Sequence, residues 1–162
     1  MESHRAVPRP QAQLTMLFDD LRHLCIVVPD MEAAVAYYES IGIGPWSDFP
    51  SLEPYRPALE ALNPDDFLRL KYRFAPMGRV QLQLCEPPPG DTPQRRFLEQ
   101  CGGGVFHLGF TVNGLDAAEA AGHARGLPVL MRGRLPGGSG FTYFDTRREA
   151  GVVLEIRQPK AA

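Results

Sequence analysis

One stretch of this chain is written twice. His23-Leu24-Cys25-Ile26-Val27-Val28-Pro29-Asp30-Met31, running on to Gly42, is answered by His107-Leu108-Gly109-Phe110-Thr111-Val112-Asn113-Gly114-Leu115, running on to Gly126. The step from position 23 to position 107 is an offset of 84, and it holds without a gap. His falls on His, Val28 on Val112, Ala33 on Ala117. A second pair closes each copy: Val80-Gln81-Leu82-Gln83-Leu84-Cys85-Glu86-Pro87 lines up with Val152-Val153-Leu154-Glu155-Ile156-Arg157-Gln158-Pro159. A module of about 60 residues buries too little of its own surface to stand alone. Two copies are therefore expected to share one sheet system.

Each copy reads as strand, helix, then three strands. In the first, Leu21 to Val28 alternates and is rich in β-branched residues, as a strand does. Pro29 stops it, and Asp30 is a suitable N-cap for a helix from Met31 to Ile41, with Ala33, Ala34, Tyr37, Tyr38 and Ile41 near one side and Gly42 at the end. Short strands follow at Trp46–Phe49, Phe67–Phe74 and Arg79–Cys85. Between them, residues 51–66 carry Pro54, Pro57 and Pro64 and read as an irregular excursion, with a turn of helix around Ala58–Leu62. In the second copy the strand Phe106–Val112, the helix Asp116–Ala124 and three further strands repeat the plan. The expected division is a mobile tail over 1–19, a first βαβββ module over 20–87, a linker with a short helix over 88–104, and a second module over 105–160. The class is α+β.

Alternation sorts side chains by face. Leu24, Ile26 and Val28 oppose His23, Cys25 and Val27. Val80, Leu82 and Leu84 oppose Gln81, Gln83 and Cys85. Leu108, Phe110 and Val112 oppose His107, Gly109 and Thr111. Val152, Leu154 and Ile156 oppose Val153, Glu155 and Arg157. Four strands thus have an apolar face to pack on helices, and all put a metal-ligand type on the other. His23, Gln83, His107 and Glu155 are two imidazoles, an amide oxygen and a carboxylate on matched strands. That set suits one divalent ion of the Co, Ni, Mn, Fe or Zn kind, with positions left open for a chelating substrate. Taken alone, each of the four is a residue type that more often serves structure; the repeat is what joins them.

The bulk properties close off other classes. Among 162 residues the net charge is −2, with basic residues scattered, so nucleic acid is not an expected partner. No apolar run reaches membrane-spanning length. Three cysteines without tight spacing argue against a disulfide framework, and a reducing cytoplasm is the default compartment.

With those residues in hand, the chain resembles the vicinal oxygen chelate superfamily, which includes glyoxalase I, methylmalonyl-CoA epimerase, extradiol dioxygenases and bleomycin and fosfomycin resistance proteins. The resemblance covers Asp20 to Pro159. It rests on the His23 strand, on Glu86-Pro87, on the run from Phe97 to Phe110, and on Gly151-Val152-Val153-Leu154-Glu155-Ile156. It is nearest the epimerase-like branch, whose ligands come as His, Gln, His, Glu in chain order. The resemblance implies paired βαβββ modules in a half-open, U-shaped mixed β-sheet barrel with helices outside, a bound divalent metal, a small-molecule substrate and pairing of chains into a homodimer through sheet edges. It also implies a glutamate base on the third strand. Phe67–Phe74 holds no glutamate, and Lys71 falls near that place, sharing a face with Arg69 and Arg73. Lys71 is a candidate base, and Arg69 and Arg73 are candidate contacts for an anionic substrate group; plain surface charge is the alternative for all three. Tyr143 is a further catalytic candidate, with a half-buried structural aromatic as the alternative. Cys25 is a candidate substrate contact, with an inert buried thiol as the alternative.

The function expected is a metal-dependent epimerase, isomerase or lyase that chelates a small oxygenated substrate and moves a proton next to a carbonyl. The alternatives are a binding protein of the bleomycin-resistance type and an extradiol dioxygenase.

Overall fold

A computed structural model describes residues 16–162. The first copy forms β1 (Leu21–Val27), α1 (Met31–Ser40), β2 (Ser47–Asp48), β3 (Leu59–Glu60), α2 (Pro64–Leu68), β4 (Lys71–Met77) and β5 (Val80–Glu86). After α3 (Pro93–Cys101) come β6 (Gly104–Thr111), α4 (Leu115–Ala124), β7 (Val129–Arg134), β8 (Gly140–Phe144), α5 (Arg147–Ala150) and β9 (Val153–Gln158). The strands make one mixed sheet in the order β2-β4-β5-β1-β6-β9-β8-β7-β3. β1 runs parallel to β5 and β6 parallel to β9, while β1 and β6 meet antiparallel at the centre. The fold is the half-open, U-shaped α+β barrel expected of two βαβββ modules, with the duplication seen as matched halves about the β1–β6 seam.

Local chemistry starts the helices where the sequence places them. The Asp30 carboxylate accepts from Ala33 N at 2.9 Å, and Glu86 Oε2 accepts from Met31 N at 2.6 Å. These satisfy amides that a helix start otherwise leaves without partners. In the second copy Gln158 Oε1 does the same work for Gly114 N and Leu115 N. The buried stripe of α1 is Met31, Ala34, Val35 and Tyr38, packed on Val28 and Leu84. Ala33 and Tyr37, expected on that stripe, are exposed because the i, i+3, i+4 spacing from Met31 turns them outward, and Ile41 is exposed because α1 ends at Ser40. The matching outer core of the second copy joins Val112, Leu115, Ala118, Phe144 and Ile156. Leu17 and Phe18 also pack there, Phe18 edge-on to Phe110 at 5.3 Å. Within the stretch expected as a tail, these two residues are therefore anchored, while 1–15 lie outside the described residues.

Two elements differ from expectation. Phe67–Phe74 is not one strand. Asn63 caps a helix by accepting from Asp66 N at 3.2 Å, with Pro64 at its first turn, so Phe67 and Leu68 belong to α2 and the strand begins at Lys71. The excursion over 51–66 is also more ordered than its prolines suggest. A 3-10 helix at Glu53–Ala58 precedes β3, and β3 pairs antiparallel with the far edge strand β7, Leu59 to Gly133 and Glu60 to Arg132. The first copy thus reaches across the mouth of the U and closes onto the second. Among the described residues no helix is long and apolar enough to cross a membrane.

Candidate metal centre

Strand register brings the inner faces of both copies to one point. β1 against β6 sets Cys25 opposite His107 and His23 opposite Gly109. β6 against β9 sets Gly109 beside Glu155, and β1 against β5 sets Cys25 beside Gln83. The His23 ring then lies over Gly109. A Cβ built on Gly109 would stand 1.9 Å from His23 Cε1, so only glycine leaves the ring its place. His23 Nε2 is 3.0 Å from His107 Nε2 and 2.8 Å from Glu155 Oε2, and His107 Nε2 is 3.1 Å from the same carboxylate oxygen. All three side chains are buried.

That triangle fits a bound cation. Ligand atoms about 2.1 Å from a metal stand about 3.0 Å apart when they are neighbours in an octahedron, and about 3.4 Å apart in a tetrahedron. The observed edges match one face of the octahedron, which is the arrangement of two His and one carboxylate that leaves open positions. His23, His107 and Glu155 form the cluster of potential ligands found among the described residues. Gln83 is buried and faces the same chamber as Glu155. Its amide nitrogen has no hydrogen-bond partner, and a half-turn of that amide presents its oxygen to the chamber instead.

Burial and charge act in opposition here. Burial alone would raise the Glu155 carboxyl, but the charges and hydrogen bonds of His23 and His107 outweigh it and hold the group well below the usual carboxylate range. Burial lowers His107 below an ordinary imidazole, against the pull of Glu155. Both shifts favour a carboxylate and a neutral ring, the forms that bind metal. Tyr143 lies edge-on to His107 at 4.9 Å between ring centres, and burial together with the Glu155 charge keeps its phenol protonated far above the ordinary value. Burial, with the neighbouring Cys85, does the same for the Cys25 thiol, which belongs to the core cluster of Val27, Phe97 and Phe106. Cys25 is not among the residues that line the chamber beside Gln83 and Glu155.

The chamber beside Gln83 and Glu155 is walled by Phe49, Tyr55, Phe67, Tyr72, Phe141 and Tyr143. Its free space is about 30 Å3, the share of one water in the liquid. Arg69, Lys71 and Arg73 are not in it. Arg69 caps α2 and pairs with Asp66; Lys71 Nζ lies 3.3 Å from Glu86 on an exposed surface; Arg73 pairs with Glu32 at 2.7 Å and Asp48 at 2.9 Å. The expected face is corrected for a physical reason. In β4 the residues paired with inward Cys85 and Gln83 are Tyr72 and Phe74. The chamber is itself aromatic, so the apolar face turns inward and the charged one meets the acids of α1 and β2.

Arg157 is a site residue that the sequence pattern alone does not single out. It lies on the Glu155 face of β9, lines the chamber, and holds its guanidinium 5.9 Å from the centre of the Phe49 ring. Its charge is felt at His107, Tyr143 and Tyr55. Alternation had already placed it beside Glu155.

Residues 22–144 match the family model of the glyoxalase/bleomycin resistance protein/dioxygenase superfamily. A curated relative, the uncharacterized protein YqjC of Bacillus subtilis (strain 168), is 30% identical over 94 residues, covering 57% of this chain and 67% of that one. Among solved structures, methylmalonyl-CoA epimerase from Mycobacterium tuberculosis is similar with a TM-score of 0.68 and 22% identity, over 91% of this chain and 92% of that one. A Streptomyces coelicolor methylmalonyl-CoA epimerase variant in complex with 2-nitronate-propionyl-CoA gives 0.68 and 23%, over 89% and 99%. These structural likenesses concern the fold.

Proposed function

Because the chain belongs to the glyoxalase/bleomycin resistance protein/dioxygenase superfamily, we propose that it is a metal-dependent enzyme that binds a small oxygenated substrate and moves a proton next to a carbonyl. The observation that carries this reading is the triangle of 2.8, 3.0 and 3.1 Å edges between the Nε2 atoms of His23 and His107 and the Oε2 atom of Glu155. His23, His107 and Glu155, joined by Gln83, would hold one divalent ion of the Co, Ni, Mn, Fe or Zn kind. When bound, the ion supplies Lewis acidity that polarises a carbonyl and acidifies the adjacent C–H.

The chain's own residues supply the rest. With Lys71 on the outer surface and Glu155 held well below the usual carboxylate range as a metal ligand, the proton is taken up by water or by the substrate's own oxygens rather than by a carboxylate base. The Tyr143 phenol, kept protonated beside His107, would hold or return a proton. The aromatic walls exclude water and so strengthen each of these interactions. The wall segment 49–68 must yield for an organic molecule to enter a space of about 30 Å3. The proposal keeps the homodimer, which light scattering on the purified chain tests.

The experiment is hydrogen exchange in D2O. Zinc- or cobalt-loaded protein is incubated with methylmalonyl-CoA, taken from the structural neighbours, and with dihydroxyacetone as a minimal vicinal-oxygen compound, and deuterium entry at the carbon next to the carbonyl is followed by NMR. Exchange that requires both metal and Glu155 supports the reading. No exchange with metal bound would favour the second reading, a binding protein of the bleomycin-resistance type, which the aromatic chamber also suits.

A further inference from the structure

Among the described residues, most guanidinium groups are neutralised at home. Arg56, Arg69, Arg73, Arg96, Arg132 and Arg134 each meet a carboxylate. Arg157 has no carboxylate partner among the described residues; its guanidinium contact is the face of Phe49. It also stands at a junction. The inner chamber of Gln83 and Glu155 and two outer clefts all count Phe49 and Arg157 in their walls. One outer cleft, about 240 Å3, runs along Pro54, Tyr55 and Ser139, and the other opens toward His23 and Gln81. The Phe49 ring and the Arg157 side chain are therefore walls shared by the inner chamber and both outer clefts.

We propose that Arg157 is the specificity-determining contact for an acid group on the substrate. This deepens the functional reading above and rests on it. A cation whose neighbour is an aromatic ring at a cavity mouth retains its capacity for a bidentate bond to a carboxylate. Geometry sets the size of the ligand. Glu155 and Arg157 are two residues apart on one face of β9, about 6.8 Å along the strand. That is about the width of one aromatic ring with its substituents. The walls between are aromatic, and edge-to-face packing suits a planar ring. The substrate class is thus a small, flat oxygenated acid with its carbonyl and adjacent C–H toward the metal centre and a carboxylate toward Arg157, for which planar catechols serve as binding probes. Entry requires the Phe49–Arg157 contact to open, and the arriving carboxylate replaces the ring as the partner of the guanidinium.

A matched pair of probes tests this. Catechol carries only the adjacent oxygens, while 3,4-dihydroxybenzoate adds a carboxylate across the ring. Their affinities for the zinc-loaded full chain are measured by calorimetry, for the natural protein and for Arg157→Gln and Arg157→Lys. The acid is expected to bind at least about tenfold more tightly than catechol, with the preference lost in Arg157→Gln and partly kept in Arg157→Lys. Equal affinities in the natural protein, a preference that survives Arg157→Gln, or binding of neither probe overturns the assignment. Zinc titration of the same samples reads the metal centre separately. Zinc binding without an acid preference sinks only the role of Arg157, whereas failure to bind zinc sinks the functional reading beneath it.

Discussion

The Nε2 atoms of His23 and His107 stand 3.0 Å apart, although 84 residues separate them in the chain. The two residues occupy the same place in the two copies, and the antiparallel pairing of β1 with β6 turns one copy onto the other. A pseudo-twofold seam converts a repeat in sequence into convergence in space. Glu155 from β9 adds the carboxylate. Gln83, its counterpart on β5, faces the same chamber.

Gly109 admits the His23 ring to this point. Replacing Gly109 with Ala puts a methyl group where His23 Cε1 lies. The ring must turn away, and misoriented ligands commonly cost 10- to 100-fold in metal affinity. Zinc titration of the Gly109→Ala protein is expected to show at least a tenfold loss while circular dichroism keeps the native spectrum. An unchanged zinc affinity would mean that His23 does not hold the ion from this position.

The repeat made the fold legible, because a His strand and a closing strand recur at matched places and alternation fixes their faces. The same alternation did not say which face of β4 turns inward. Phe67-Leu68-Arg69-Leu70-Lys71-Tyr72-Arg73-Phe74 has one charged face and one apolar face, and a chamber walled by aromatics takes the apolar one. The helix signal Asn63-Pro64-Asp65-Asp66 also competed with the strand pattern and took Phe67 and Leu68. The pairing of β3 with β7 joins two-residue and six-residue strands from different copies, and no local periodicity encodes such a long-range contact. Arg157 was visible on the Glu155 face, but its significance depends on the acids elsewhere being used up, which only packing reveals.

Lys71 and Tyr143 separate by location. Lys71→Ala removes an exposed ion pair with Glu86, so its effect on stability is expected to stay within about 1 kcal/mol. Metal content and deuterium exchange should not change. Tyr143→Phe keeps the ring against His107 and removes the hydroxyl. Exchange is expected to slow by about 100-fold, with zinc affinity little altered. Loss of exchange in Lys71→Ala with full activity in Tyr143→Phe would reverse the assignment.

The second copy is clamped by Glu119 on α4. It accepts from Arg132 Nε at 2.9 Å, from Arg134 Nη2 at 2.6 Å, and from the Thr142 hydroxyl. Burial pushes its carboxyl up, but Thr142 and the two guanidinium groups outweigh that and hold it below its ordinary value of 4.5. A carboxyl depressed by folding stabilises fully above its unfolded value and loses that contribution as pH falls through the folded value. Glu119→Gln is expected to cost about 2 kcal/mol at neutral pH in urea unfolding. The gap between variant and natural protein should narrow as pH drops below about 4. A gap that widens with acid would show that the carboxylate is not the stabilising form.

The most direct measurement is the metal content of the purified full chain after zinc or cobalt loading, by elemental analysis, beside Glu155→Ala and His107→Ala. One divalent ion per chain in the natural protein, and almost none in either variant, is the expected result. A natural chain that takes up no metal, or a Glu155→Ala chain that keeps a full complement, would contradict a centre built on His23, His107 and Glu155.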